Sequence, residues 1–104
     1  MNFQVNSLPQ LSRDRIRSMS HIERLQSRLI SLSYQLKKSN LSDIDKTCLH
    51  LNRSKIYNKL ALVTKKLNTL QRRDYQETIT TYQAYSKADL VKSVALNPLL
   101  KTSI

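Results

Sequence analysis

The chain of 104 residues contains no glycine, whereas an average chain of this length carries about seven. Tight turns with φ > 0, phosphate-binding loops and dinucleotide-binding motifs depend on residues that lack a Cβ. The sequence therefore disfavours hairpin-rich sheets and Gly-rich ligand loops. A single all-α domain is the fold class that we predict.

Two prolines, Pro9 and Pro98, bracket the rest of the chain. The residue before a proline is pushed away from helical geometry, so the folded part is expected between about Leu11 and Asn97. We predict a flexible apolar tail over 1–11, a helical domain over 12–96 and a C-terminal tail over 97–104. The tails carry apolar residues that are typical of segments that order on a protein partner: Phe3, Val5, Leu8, Leu99, Leu100 and Ile104.

A leucine-rich seam predicts the first helix over about 12–38. Its residues recur at intervals of 3 and 4, which places them on one helix face: Ile22, Leu25, Leu29, Leu32 and Leu36. Ser12 is the preferred N-cap, with Asp14 in the first turn. Ser20 with Glu23 three residues later is an alternative helix start of the capping-box type.

A second seam predicts a helix over about 43–70, and it again steps by combinations of 3 and 4: Leu49, Ile56, Leu60, Val63, Leu67 and Leu70. Turn-favouring residues from Ser39 to Ser42 predict that the chain reverses there. Ser42 followed by Asp43 and Asp45 is typical of an N-cap with an acidic first turn. Because the connection is short, the two helices are expected to pack antiparallel.

Beyond Leu70 the apolar stripe moves to a rotated face, formed by Tyr75, Ile79, Tyr82, Leu90 and Val94. Either residues 71–74 form a turn before a third helix over about 74–96, or one helix of over 50 residues changes its buried face. Typical helix lengths favour the break, and the helix-forming residues at that point favour continuity. The predicted fold is an antiparallel helical hairpin extended to a three-helix bundle or a long coiled coil.

Small residues lie on the side of the third segment opposite its tyrosines. Burial of both sides within a bundle is one explanation, and a second interface for a partner or another copy of the chain is the other. The candidate residues of this second interface are Tyr75, Ile79, Tyr82, Ala84, Ala88, Val91 and Ala95.

The residues that catalysis requires are scarce. Cys48 and His50 are two apart on a helix and point to different faces, so they cannot readily hold one metal ion. Cys48 is expected to be a small buried apolar residue. A Cys–His catalytic pair would require His21 to reach Cys48, and the sequence specifies no acidic residue that would orient the histidine. We expect no catalytic residue, metal site or cofactor, and therefore no enzyme.

The chain has a net charge of +11, and eight of its 18 Lys and Arg residues lie on one flank of the two seams. At 100° per residue, four cations of each predicted helix form a narrow stripe: Arg13, Arg17, Arg24, Arg28, Lys55, Lys59, Lys66 and Arg73. Antiparallel pairing brings the stripes together as a shared basic face, with the pairs Arg28 and Lys55, Arg24 and Lys59, and Arg17 and Lys66. The opposite side is nearly uncharged and could receive a third helix, through Gln26, Ile30, Ser33, Tyr57, Ala61, Thr64 and Asn68.

A basic face of this kind suits an acidic protein surface or a polyanion. The function that we predict is a small adaptor, chaperone or scaffold protein that binds an acidic partner or partner helices. A non-specific nucleic-acid-binding protein is the alternative, although the stripes lack interleaved aromatic residues for base stacking. The explanation that assigns these cations no binding role is a solvated cationic surface that keeps the protein soluble. A homo-oligomer is also compatible with the sequence.

As a basic helical hairpin of about a hundred residues, the chain is similar to the small stalk proteins of flagellar and type III export ATPases. The likeness covers residues 13–96 as a pattern, and it implies no site residues.

The N-terminal residues Met1 to Leu11 lack the basic start and unbroken apolar run of a secretory signal. No stretch approaches the ~18 apolar residues of a membrane span. We therefore predict a cytoplasmic protein.

Overall fold

The computed structural model describes residues 10–97, which form three α-helices. They are α1 (Gln10–Leu36), α2 (Asp43–Gln71) and α3 (Gln76–Leu96). This all-α bundle confirms the predicted fold class. Of the two predicted tails, residues 1–9 and 98–104 lie outside the described residues.

The α1 helix begins at Gln10, two residues before the predicted start at Ser12. Neither Ser12 nor Ser20 therefore begins the helix. The steric restriction imposed by a proline falls on the residue before it, so it does not prevent Gln10 from being helical. At the other end, α1 stops at Leu36, not at residue 38. The amide of Lys37 there bonds the carbonyl three residues back (3.1 Å), which closes the last turn.

The reversal between α1 and α2 ends in the predicted cap. The Ser42 hydroxyl accepts a hydrogen bond from the Asp45 amide at 3.1 Å, with Ser42 in extended geometry. Asp43 and Asp45 lie in the first turn of α2, where carboxylates interact favourably with the helix dipole. The hairpin reversal between Ser39 and Ser42 is thus confirmed.

A turn over residues 72–75 separates α2 from α3, so the continuous long helix is wrong. Arg72 adopts left-handed backbone geometry (φ 54°) immediately after α2. The Asn68 side chain accepts a hydrogen bond from the Tyr75 amide, and the Asp74 side chain accepts one from the Gln76 amide, each at 3.0 Å. Because these side chains satisfy amides at the start of α3, the helix begins at Gln76 and not at residue 74.

The two leucine-rich seams form the core of the hairpin, as predicted. Leu25, Ile56 and Leu60 are buried together, and Leu60 is fully inaccessible. Partly buried residues pack around them: Ile22, Leu29, Leu32, Tyr57, Val63 and Tyr82. The spacing of the apolar residues therefore positions α1 against α2.

The α3 helix packs on the uncharged side of the hairpin. The Tyr57 ring lies 6.2 Å from the Tyr82 ring and 5.2 Å from the Tyr85 ring, measured between centroids. Small polar residues fill much of this contact. The Ser54 hydroxyl bonds the Ser86 carbonyl at 2.8 Å, and the Ser86 hydroxyl bonds the Ser54 carbonyl at 2.9 Å. This contact leaves the flank that carries the basic face uncovered by α3.

Within residues 10–97, no helix has the combination of length and apolar character needed to cross a membrane.

Candidate functional site

The basic face is exposed along its whole length. All eight of its residues are exposed, four on α1 and four on α2 or the turn after it. The leucine seams position them, because each stripe flanks a seam that faces the other helix. The antiparallel hairpin therefore presents both stripes to solvent.

Two adjoining grooves between α1 and α2 bring several of these cations together. One groove is lined by Arg28, Lys55 and Lys59, and the next by Arg17 and Lys66. The predicted neighbours Arg28 and Lys55, and Arg17 and Lys66, thus share grooves. The remaining cations of the basic face line neither groove: Arg13, Arg24 and Arg73.

The cations of the grooves have no carboxylate partner within 4.0 Å among residues 10–97. The ion pairs found there, His50 with Asp89 and Arg53 with Asp89, lie outside the grooves. Like charges on neighbouring helices repel by tenths of a kcal/mol per pair in water. An anionic ligand in the grooves would relieve that repulsion.

An exposed leucine lies between the clustered cations. Leu62 keeps 60% of its surface accessible and lines both grooves. Sequence analysis missed it because it precedes the seam residue Val63 and does not fit the seam. Its position three residues after Lys59 and four before Lys66 is the signal that could have identified it.

The candidate second interface divides into two sides. Ile79 is buried, and Tyr75 and Tyr82 are half-buried against the rest of the bundle. The other side is exposed in this chain, with Val91 67% accessible, and it comprises Ala84, Ala88, Val91 and Ala95. Burial of both sides within one chain is therefore wrong. Only the alanine side is open to a partner.

A buried carboxylate that sequence analysis missed joins the helices. Asp89 on α3 is 2% exposed. Arg53 donates to both of its oxygens, from Nε and Nη2, at 2.8 Å each. His50 Nδ1 lies 2.9 Å from Oδ1, and a carboxylate only accepts, so Nδ1 donates. Arg53 Nη1 also donates to Ser33 Oγ of α1 at 3.2 Å, so the network spans all three helices.

The network holds Asp89 in its charged form. Burial alone would raise the pKa of Asp89, but the hydrogen bonds from Arg53 and His50 outweigh burial and leave that pKa below its usual value. The hydrogen bond to Asp89 correspondingly raises the pKa of Arg53. These residues bond one another, which assigns them a structural role. The signal that could have identified the network is Asp89 itself, the single acidic residue on the face of α3 that also carries the tyrosines.

Cys48 is exposed, so the expectation that it is buried is wrong. The adjacent Thr47 occupies the inward position and is buried instead. Among residues 10–97, no group of three or more His, Cys, Asp or Glu side chains could hold a metal ion.

No protein-family model, curated protein or solved structure matches the chain. The likeness to export-ATPase stalk proteins therefore depends on the helical pattern alone.

Proposed function

We propose that this protein is a non-enzymatic helical adaptor, chaperone or scaffold whose basic face binds an acidic surface of a partner protein. One observation carries the proposal: cations of α1 and α2 that have no carboxylate partner among the described residues flank an exposed leucine in adjoining grooves. Cations supply electrostatic attraction, and the leucine supplies apolar area for a protein side chain.

The exposed leucine favours a protein over a nucleic acid. Phosphate neutralisation needs cations alone, and stacking of bases needs aromatic side chains. Among residues 10–97, no Phe, Tyr or Trp lines either groove and His21 is the one aromatic ring, in one groove, whereas Leu62 lines both. Nucleic acid remains the second candidate because eight exposed cations follow one flank of the hairpin.

The alanine side of α3 would supply a second contact. Ala84, Ala88 and Ala95 are exposed and small enough for another helix to approach closely, and Val91 adds apolar area. The α3 helix packs on the uncharged side of the hairpin, away from the basic face. One molecule could thus contact two partners or two copies at once, which is the geometry that an adaptor needs.

Affinity capture with the full chain, at low and high salt and with or without nuclease, tests the proposal. We expect retained proteins that survive nuclease treatment and are released by high salt, because exposed charge attraction is screened. Loss of all retained material after nuclease treatment would instead establish the nucleic-acid alternative.

A further inference from the structure

The two grooves of the basic face adjoin at Leu62. Arg28 and Lys59 line the groove on one side of this residue, and Arg17 and Lys66 line the groove on the other. On the premise of the proposed function, we infer that the partner element is an acidic amphipathic α-helix. It lies along the α1–α2 grooves with an apolar side chain on Leu62 and carboxylates on the cations to either side.

The secondary structure of the basic face selects a helix as the ligand. An extended peptide gains its main-chain hydrogen bonds by adding to a sheet edge. Residues 10–97 contain no strand, so the backbone of a docked segment finds no such edge. A helix satisfies its own backbone groups and offers a row of side chains to a groove between two other helices.

The spacing of the cations defines the ligand further. From Lys55 to Lys66, α2 rises about 16 Å, or three helical turns. Lys59 and Lys66 each lie about one turn from Leu62, on opposite sides. The matching helix therefore has an apolar residue at its centre, acidic residues one turn away in both directions, and a further acidic residue two turns away on the side of Lys55.

Charge complementarity selects an acidic helix. The grooves present five cations, Arg17, Arg28, Lys55, Lys59 and Lys66. None of them has a carboxylate within 4.0 Å among the residues that the structure describes. An uncharged helix would cover these cations without compensating them, and a basic helix would be repelled.

Two designed peptides of about 18 residues, long enough to form helices, provide the test. The patterned peptide has a central leucine with glutamates one and two turns away on the same face. The permuted peptide has the same composition with that periodicity broken. Binding to the full chain is measured by fluorescence anisotropy at constant salt, with a single-stranded DNA of equal charge as a third probe.

Leu62→Gln removes the apolar contact, and Ile44→Gln is the matched control. Ile44 is 73% exposed on α2 and lines neither groove. We expect the patterned peptide to bind the unmodified chain about tenfold more tightly than the permuted one. Leu62→Gln should remove about that factor, as expected for one leucine contact, and Ile44→Gln should not. Far-ultraviolet circular dichroism verifies that each variant remains folded.

The double reversal Arg28→Glu/Lys59→Glu separates the inference from its premise. If it abolishes binding while Leu62→Gln and the permutation of the peptide have no effect, the cations bind acidic protein without a docked helix, and only the inference is overturned. If the reversal leaves peptide binding unchanged, or DNA binds and neither peptide does, the proposed function fails together with the inference.

Discussion

Replacing Asp89 with Ala should destabilise the protein by about 2–4 kcal/mol. Removing one partner of a buried ion pair typically costs 3–5 kcal/mol. The side chains of His50 and Arg53 remain 14% and 18% exposed, so water compensates part of the loss. The change leaves two guanidinium donors and one imidazole donor without their acceptor. Urea unfolding followed by circular dichroism measures the difference in free energy.

A double-mutant cycle with Arg53→Ala isolates the pair. We expect a coupling energy above about 1 kcal/mol, since the two residues share two hydrogen bonds of 2.8 Å. Glu23→Ala is the control, because Glu23 is exposed on α1 and should change stability by no more than about 0.5 kcal/mol. An Asp89→Ala variant as stable as this control would refute the structural role of the network.

Three further changes test other parts of the fold. Leu60→Ala should cost about 3–5 kcal/mol in urea unfolding because Leu60 is fully buried, whereas the exposed Leu62→Ala should cost far less. Arg72→Gly should stabilise by up to about 1 kcal/mol, since glycine adopts positive φ without a Cβ clash; the same change at Arg73 should not. The folded-state pKa of Asp89 is lowered. The stability that ionised Asp89 gives the folded protein is therefore fully present above the unfolded pKa of about 3.9, and it is lost as pH falls through the folded pKa. Asp89→Asn should reduce this loss of stability, measured by acid unfolding curves.

The sequence was sufficient to predict features that depend on neighbouring residues along the chain. The 3 and 4 spacing of Leu25 and Leu60 with their seam neighbours predicted which faces pack together. The Ser42 cap and the reversal before it follow from side chains that bond backbone within three residues. The same periodicity predicted that Arg28 and Lys55, and Arg17 and Lys66, lie near one another, and each pair lines one groove.

Features that depend on distant residues could not be predicted in this way. Asp89 is buried because Arg53 and His50, more than 35 positions earlier in the chain, reach it from α2. Arg72 adopts a conformation that favours glycine because α3 must fold back to pack on α2. The predicted continuity of the helix therefore fails after Gln71, where this packing overrides intrinsic helix preference.

The proposed function requires that the position of the charges matters and not their number. Arg24→Glu/Lys59→Glu reverses two exposed residues of the basic face, and Lys37→Glu/Lys92→Glu reverses two exposed residues outside it. Both double variants carry the same net charge. The measurement is the rate of association with a nuclease-resistant acidic partner at low salt. We predict that the first variant associates at least about tenfold more slowly than the second, because electrostatic steering acts through the local field. Equal rates for the two variants would contradict a basic face that acts as the binding surface.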